Sequence, residues 1–224
     1  LLKLGFPIAL QNAIIAVGSM VVQFVINGYG MLFLAGFTAT NKLYGILEIA
    51  ASSYGFAVTS YVGQNLGARL VGRIKKGMRS AVVIAVITSV VITFAMLFFG
   101  RLILGLFISG DPGEVEASLN IAFHYLSIMA VCLPILYLLY IYRSGLMGLG
   151  DTVVPMVSGI AEMIVRMGVV LLLPLVMGQE GVYYAEVGAW TAAALILAGA
   201  YYLRIRALSR RKGFALDEKG GDLR

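Results

Sequence analysis

Six stretches of this chain, at about residues 6–30, 33–65, 79–100, 116–142, 152–177 and 181–206, stay apolar for longer than the roughly 20 helical residues needed to cross a hydrocarbon core about 30 Å thick. In that solvent every backbone N–H and C=O must find a partner within the chain, which leaves only helices and closed barrels. The runs are too long for the strands of a barrel, which alternate over roughly ten residues. The expected fold is an all-α membrane protein, a six-transmembrane-helix bundle over residues 1–206 with a polar cytoplasmic tail at 207–224. Composition agrees, since 60% of the 224 residues are hydrophobic and 12% charged, against about 45–50% and 25% in soluble domains. One cysteine, Cys132, and one histidine, His124, can build neither a disulfide scaffold nor a zinc site, so no metal centre is expected.

The cations set the topology, because cytoplasmic loops collect Lys and Arg. Fourteen of the 17 fall on one side: Lys3, the five between Arg69 and Arg79, Arg143, and the seven from Arg204 onward. Arg101 alone is on the other side, and Lys42 and Arg166 lie within spans. Both ends are therefore expected in the cytoplasm of a cell whose plasma membrane the chain crosses several times. Charge clustered between apolar spans argues for a lipid bilayer as partner and against nucleic acid. Tyr183 and Tyr184 precede Tyr201 and Tyr202 by eighteen residues, about 27 Å of helix, as two interfacial belts require.

The chain opens with Leu1 and enters a membrane helix almost at once, at Gly5, Phe6 and Pro7. With both ends on one side, this is the pattern of one half of a duplicated transporter, and a carboxy-terminal half is expected, its amino-terminal six-helix lobe lying upstream.

Polar groups inside spans are costly and face a bundle interior or a wet cavity. Three helices carry such a stripe. In the first, Asn12, Ala16, Ser19, Gln23 and Asn27 fall within about 80° of one another. In the second, Thr38, Asn41, Gly45, Glu48, Ser52, Gly55 and Thr59 fall within about 100°, and so do Asp151, Pro155, Ser158, Gly159, Glu162 and Arg166 in the fifth. Two readings stand: small and amide residues let membrane helices pack closely, or the stripes line a cavity. Glu162 and Arg166, four residues apart with the acid first, form the favoured pair of a helix, structural or released during transport. Glu48 has no cation within one turn, so its partner must be another helix, water or a proton, and it reads either as a structural hydrogen-bonder or as a group suited to proton binding and release. Lys42 is equally costly and has no explanation. His124 reads as a structural hydrogen-bonder, and Pro134 and Pro155 as kinks.

Catalytic chemistry is missing from the residues. The segment from Gly72 to Gly77 continues with Met78 and Arg79 where a phosphate-binding loop needs Lys and Ser or Thr. Gly145, Gly148 and Gly150 follow a membrane helix rather than a strand and read as a helix stop. Neither an enzyme nor a cofactor is expected; movement of a solute, driven by a gradient, remains.

Three segments make the pattern recognisable: Gly5-Phe6-Pro7-Ile8-Ala9-Leu10-Gln11-Asn12; Tyr61-Val62-Gly63-Gln64-Asn65-Leu66-Gly67-Ala68 ahead of a basic run; and Tyr142-Arg143-Ser144-Gly145-Leu146-Met147-Gly148-Leu149-Gly150-Asp151-Thr152 with Pro155, Glu162 and Arg166. The chain resembles the carboxy-terminal lobe of multidrug and toxic compound extrusion (MATE) transporters. That resemblance implies one lobe of a two-lobe, twelve-helix fold exporting small, cationic or amphipathic organic compounds in exchange for H+ or Na+. Sodium-type members place carboxylates where Ile15 and Leu136 approximately stand here, so coupling through that site is not expected. The candidates for the substrate cavity or coupling are Glu48, Glu162, Arg166, Asn12, Gln23, Asn27 and Asn41. Gly63, Gln64, Asn65 and Gly67 form a structural turn, after which Arg69, Arg73 and Lys76 read as the basic face of a short interfacial helix, or as a solvated charge run. The competing functional readings are a flippase for a lipid-linked sugar and a non-transporting membrane scaffold.

Overall fold

The computed structural model describes residues 2–210, with side chains from residue 5. Among the described residues the regular elements are all helical: α1 (Leu2–Asn27), α2 (Met31–Gly67), α3 (Val71–Gly105), α4 (Pro112–Val131), α5 (Leu133–Gly148), α6 (Val153–Leu172), α7 (Pro174–Met177), a 3₁₀ turn (Gly178–Tyr183) and α8 (Tyr184–Ser209). α1 over Gly5–Asn27, α3, the stretch Val153–Ser209 and the α4–α5 pair taken together are long and apolar enough to cross a membrane. α2 has ample length at 37 residues, and its apolar character is diluted by its polar stripe.

Several expectations change in detail. The fourth apolar run is not one helix: α4 and α5 meet at a 50° bend at Cys132. Pro134 explains it, because a proline within the first two positions of α5 removes an N–H from the ladder and forces a new start, with the Ile135 N–H turning back to the Cys132 carbonyl at 3.0 Å. Pro155 makes no kink. It sits in the first turn of α6, where backbone N–H groups have no intrahelical acceptor to lose. The basic run forms no separate interfacial helix either, since Arg73 and Lys76 belong to the opening turns of the 35-residue α3 and Arg69 to the turn before it. Residues 207–209 continue α8, and the rest of the expected tail, from 211, lies outside the described residues.

The helices sort into two half-bundles. α1 packs on α6 and α6 on α8, while α2, α3, α4 and α5 pack together, and α5 against α8 joins the two sets. α1 and α2, consecutive in sequence, make little contact. α6 and α8 form an antiparallel hairpin tied by Arg204 Nε to Asp151 Oδ2 at 2.7 Å and by Arg166 Nη2 to Glu186 Oε2 at 2.8 Å.

Much of the small-residue content goes into close helix approach. A Cβ on Gly36 would stand 2.6 Å from the Ser118 carbonyl of α4, and the Thr40 hydroxyl donates to the Ala122 carbonyl at 2.9 Å. On the α5 side, Gly55 faces Ser144 Oγ and Gly148 faces Val62 and the Thr59 carbonyl, all under 3.0 Å for an added Cβ. Gly145, against Met78, serves the same end, so of the three glycines read as a stop only Gly150 ends the helix, at φ 78°. At the opposite end Phe33, Phe37, Tyr125 and Tyr183 stack with centroids 4.5 to 6.3 Å apart. Tyr183 and Tyr201 are thus core residues, 4% exposed each, and only Tyr184 and Tyr202 of the expected belts face outward.

Candidate functional site

The seam between the half-bundles holds a polar cavity of about 210 Å³. Each helix contributes through its own periodicity. Leu136, Leu139, Tyr140 and Arg143 follow the three-and-four spacing of one face of α5, as do Tyr44 and Glu48 on α2 and Glu162 and Arg166 on α6. Asn12 and Ile15 come from α1 and Trp190 from α8, where it stacks on Tyr44 at 5.5 Å.

Glu162 and Arg166 do not pair with each other. Arg143 Nη2 reaches from α5 to Glu162 Oε1, and Arg166 donates to Glu186. The reason is packing: both side chains on α6 are buried, 3% exposed each, and point into opposing helices that supply counter-charges with better reach than the neighbour one turn along. Arg166 Nη1 also approaches the Ile15 carbonyl and Ser19 Oγ on α1, both at 3.4 Å. It thereby pins α1 and α8 to α6.

Glu48 takes its partner from another helix. The Tyr140 hydroxyl donates to Glu48 Oε1, and the Arg143 guanidinium lies over the Tyr140 ring, 5.8 Å from its centroid. Three carboxylates (Glu48, Glu162, Glu186) therefore surround the seam against two guanidinium groups (Arg143, Arg166). Each arginine is bound to a different acid, so the charge left uncancelled is that of Glu48. Arg143 Nε and Arg166 Nε are buried without a hydrogen-bond partner among the described residues.

The sequence candidates separate on this map. Asn12, Glu48, Glu162 and Arg166 meet at the cavity. Gln23 and Asn27 bond to each other, Nε2 to Oδ1 at 2.9 Å, on the exposed face of α1, some 16 to 22 Å along the helix from Asn12. Asn41 is half-buried two turns from Glu48 and lines no part of the cavity. Gly55, Thr59, Ser158 and Gly159 serve packing instead. Among the described residues the exposed Lys42 has no partner, and His124 makes a ring contact with Tyr183 at 5.4 Å and no hydrogen bond. Ile15 and Leu136 both line the cavity, so its wall is apolar where the resemblance puts carboxylates, and its acids, Glu48 and Glu162, come from α2 and α6.

Gly63, Gln64, Asn65 and Gly67, expected as the turn itself, lie within the last turns of α2, and the turn follows them. The Leu70 N–H returns to the Asn65 carbonyl at 2.9 Å and the Arg69 N–H to the Leu66 carbonyl at 3.0 Å, with Arg69 as the left-handed residue at φ 62°. The Asn65 side-chain amide donates to the Tyr61 carbonyl at 2.8 Å.

Sequence reading missed Tyr140, Arg143 and Glu186. Arg143 counted as a loop cation, yet it lies inside α5 one turn from Tyr140; Glu186, an acid at the start of an apolar run, carried the signal of an intramembrane charge and went unused.

The MatE family model matches residues 7–172. Among curated proteins, the probable multidrug resistance protein YpnP of Bacillus subtilis (strain 168) is 42% identical over 67 residues, 30% of this chain and 15% of that protein. YoeA of the same organism, also a probable multidrug resistance protein, is 27% identical over 109 residues, 49% of this chain and 24% of that one. Among solved structures, a MATE in complex with MaL6 superposes with a TM-score of 0.85 at 18% identity, over 94% of this chain and 47% of that one. A MOP superfamily transporter from Pyrococcus furiosus, described by the reverse polarity of its binding pocket, gives 0.82 at 17% identity, over 96% and 49%. An outward-facing multidrug resistance MATE family transporter gives 0.81 at 17% identity, over 96% and 49%. The chain spans about half the length of these solved transporters and matches a smaller part of the curated relatives. With the family model covering most of its length and the fold shared throughout, the chain belongs to the MatE family.

Proposed function

We propose that these helices form one lobe of a secondary active exporter of small organic cations, working by alternating access against an amino-terminal six-helix lobe in exchange for H+ or Na+. The observation that carries the reading is Glu48. Its carboxylate faces a polar cavity, holds a phenol rather than a cation, and is the one acid of three whose charge no arginine cancels. A proton, a sodium ion or a cationic substrate would each complete it, and competition among them at one carboxylate is the elementary form of exchange. Glu162 and Glu186 serve as fixed counter-charges that hold Arg143 and Arg166. The half of the lobe built from α1, α6 and α8 then moves relative to the α2–α5 half by pivoting on the α5–α8 contact and the Arg143–Glu162 pair, while α1 and α2, which barely touch, part from each other. The lobe lies in the plasma membrane with its cation-rich ends in the cytoplasm.

The test uses the full-length parent transporter in vesicles, following a fluorescent organic cation under an imposed pH or sodium gradient. Glu48→Gln, which keeps the size and the hydrogen bond to Tyr140, is expected to abolish gradient-driven efflux. Retained efflux in that variant would move coupling to the other lobe. A parent that moves no cation under either gradient would favour the lipid-linked sugar flippase or the scaffold.

A further inference from the structure

On another side of α5, away from the charged seam, lies a larger cleft of about 580 Å³ between the opening turns of α3 and the closing turns of α8. Met78 and Tyr201, which line it, lie over Gly145 of α5: a Cβ there would stand 2.7 Å from Met78 Cε and 3.6 Å from Tyr201 Cδ2, so a larger residue would displace the end of the Met78 side chain. The lining changes character with depth. Toward the helix ends stand Lys75 and Arg79 on α3 and Arg206 on α8. One turn deeper, about 6 Å, come Val82 and Val83 on α3 and Tyr201 and Tyr202 on α8. The Tyr142 and Tyr202 hydroxyls meet there at 3.1 Å.

Among the described residues no carboxylate lines this cleft. Arg204, two residues before Arg206, is held by Asp151 at 2.7 Å, whereas Arg79 and Arg206 have no ion-pair partner among the described residues. Below them Val83 is 56% and Tyr202 51% exposed, large apolar surfaces opening sideways from the bundle. Two guanidinium groups with no ion-pair partner among the described residues, above a level of hydroxyls and aliphatic surface, match the phosphate of an anionic lipid and the ester and acyl region beneath it. A basic pocket between membrane helices on the cytoplasmic side is the physical setting in which such headgroups are held. Arginine suits the task through its planar fork of donors for phosphate oxygens.

We propose that this cleft binds an anionic phospholipid of the cytoplasmic leaflet, its phosphate between Arg79 and Arg206 and an acyl chain along Val82, Val83 and Tyr202. The inference goes beyond the transport reading. It rests on the chain being embedded with the start of α3 on the cytoplasmic side, and it is measured without any efflux.

The experiment takes the full-length transporter in nanodiscs of phosphatidylethanolamine with increasing phosphatidylglycerol and counts bound phosphatidylglycerol by native mass spectrometry. Arg79→Gln and Arg206→Gln are each expected to weaken binding about fivefold. Arg79→Lys is expected to recover part of it, and Arg73→Gln, an exposed cation on α3 that does not line the cleft, to change nothing. Both arginines are exposed and have no ion-pair partner among the described residues, so the variants keep the parental melting temperature in phosphatidylethanolamine alone; a lower one would show that these side chains are structural and overturn the proposal. Equal weakening by Arg73→Gln would reduce the effect to general surface charge and overturn it too. So would displacement of the lipid by millimolar inorganic phosphate, or a gain in bound lipid on neutralising Asp217, Glu218 and Asp222, which would make the chain's own tail the occupant.

Discussion

Arg166 on α6 donates to Glu186 on α8 at 2.8 Å, twenty residues along the chain, although Glu162 stands one turn back on its own helix. The two arginines of the seam are thereby exchanged between helices: Arg143 of α5 holds Glu162 of α6, and Arg166 of α6 holds Glu186 of α8. These links join α5, α6 and α8 at membrane depth, where removing one member of a buried pair strands the other. Arg166→Gln is expected to destabilise the full-length protein by about 3–5 kcal/mol. The double variant Arg166→Gln with Glu186→Gln should recover most of that loss. Thermal unfolding of the four proteins of this cycle in one detergent checks it, and additive losses would deny the pairing.

Tyr140 is expected to be worth more than its hydroxyl. Tyr140→Phe keeps the ring under Arg143 and removes the donor to Glu48, costing about 1.5–3 kcal/mol for a hydrogen bond to a charged group. Tyr140→Leu also removes the cation–π contact and should cost about 0.5–2 kcal/mol more. Equal melting temperatures for the two variants would mean that the ring contributes nothing.

Glycines that look alike in sequence should respond oppositely to alanine. Gly36→Ala places a Cβ 2.6 Å from a backbone carbonyl of α4, which cannot rotate aside, and should cost about 1–3 kcal/mol. Gly45→Ala, on the same helix with nothing within 4 Å, should stabilise by about 0.5–1 kcal/mol through helix propensity. Melting temperatures of the two variants moving in the same direction would sink the packing argument.

Arg69 occupies a left-handed position that L side chains resist, at φ 62°. Arg69→Gly should stabilise the α2–α3 turn by roughly 1 kcal/mol. Gly150→Ala at φ 78°, with open space around it, should lose a similar amount. Both follow from denaturation of the full-length protein, and a loss on Arg69→Gly would mean that the arginine side chain makes a contact outweighing the strain.

Length and apolarity alone fixed that this chain is helical and crosses a bilayer, because hydrocarbon accepts no unpaired backbone and so admits no other structure for runs this long. The bend near Pro134 was equally legible, since proline lacks a donor wherever it stands. The 100° repeat placed Glu48, Glu162 and Arg166 on inward faces, and all three line the seam. Partners were not legible in this way. Periodicity describes one helix at a time, and within one helix Glu162 and Arg166 are the obvious pair; only when α5 and α8 pack against α6 do Arg143 and Glu186 come within reach. The same holds for the glycines, for whether Gly36 or Gly45 is indispensable depends on which carbonyl of another helix lies opposite. The sequence determined which groups must be buried, by the cost of exposing apolar surface and unpaired backbone. The tertiary structure decided which buried charges meet, because that depends on ångström-scale distances between helices that no single-helix pattern contains.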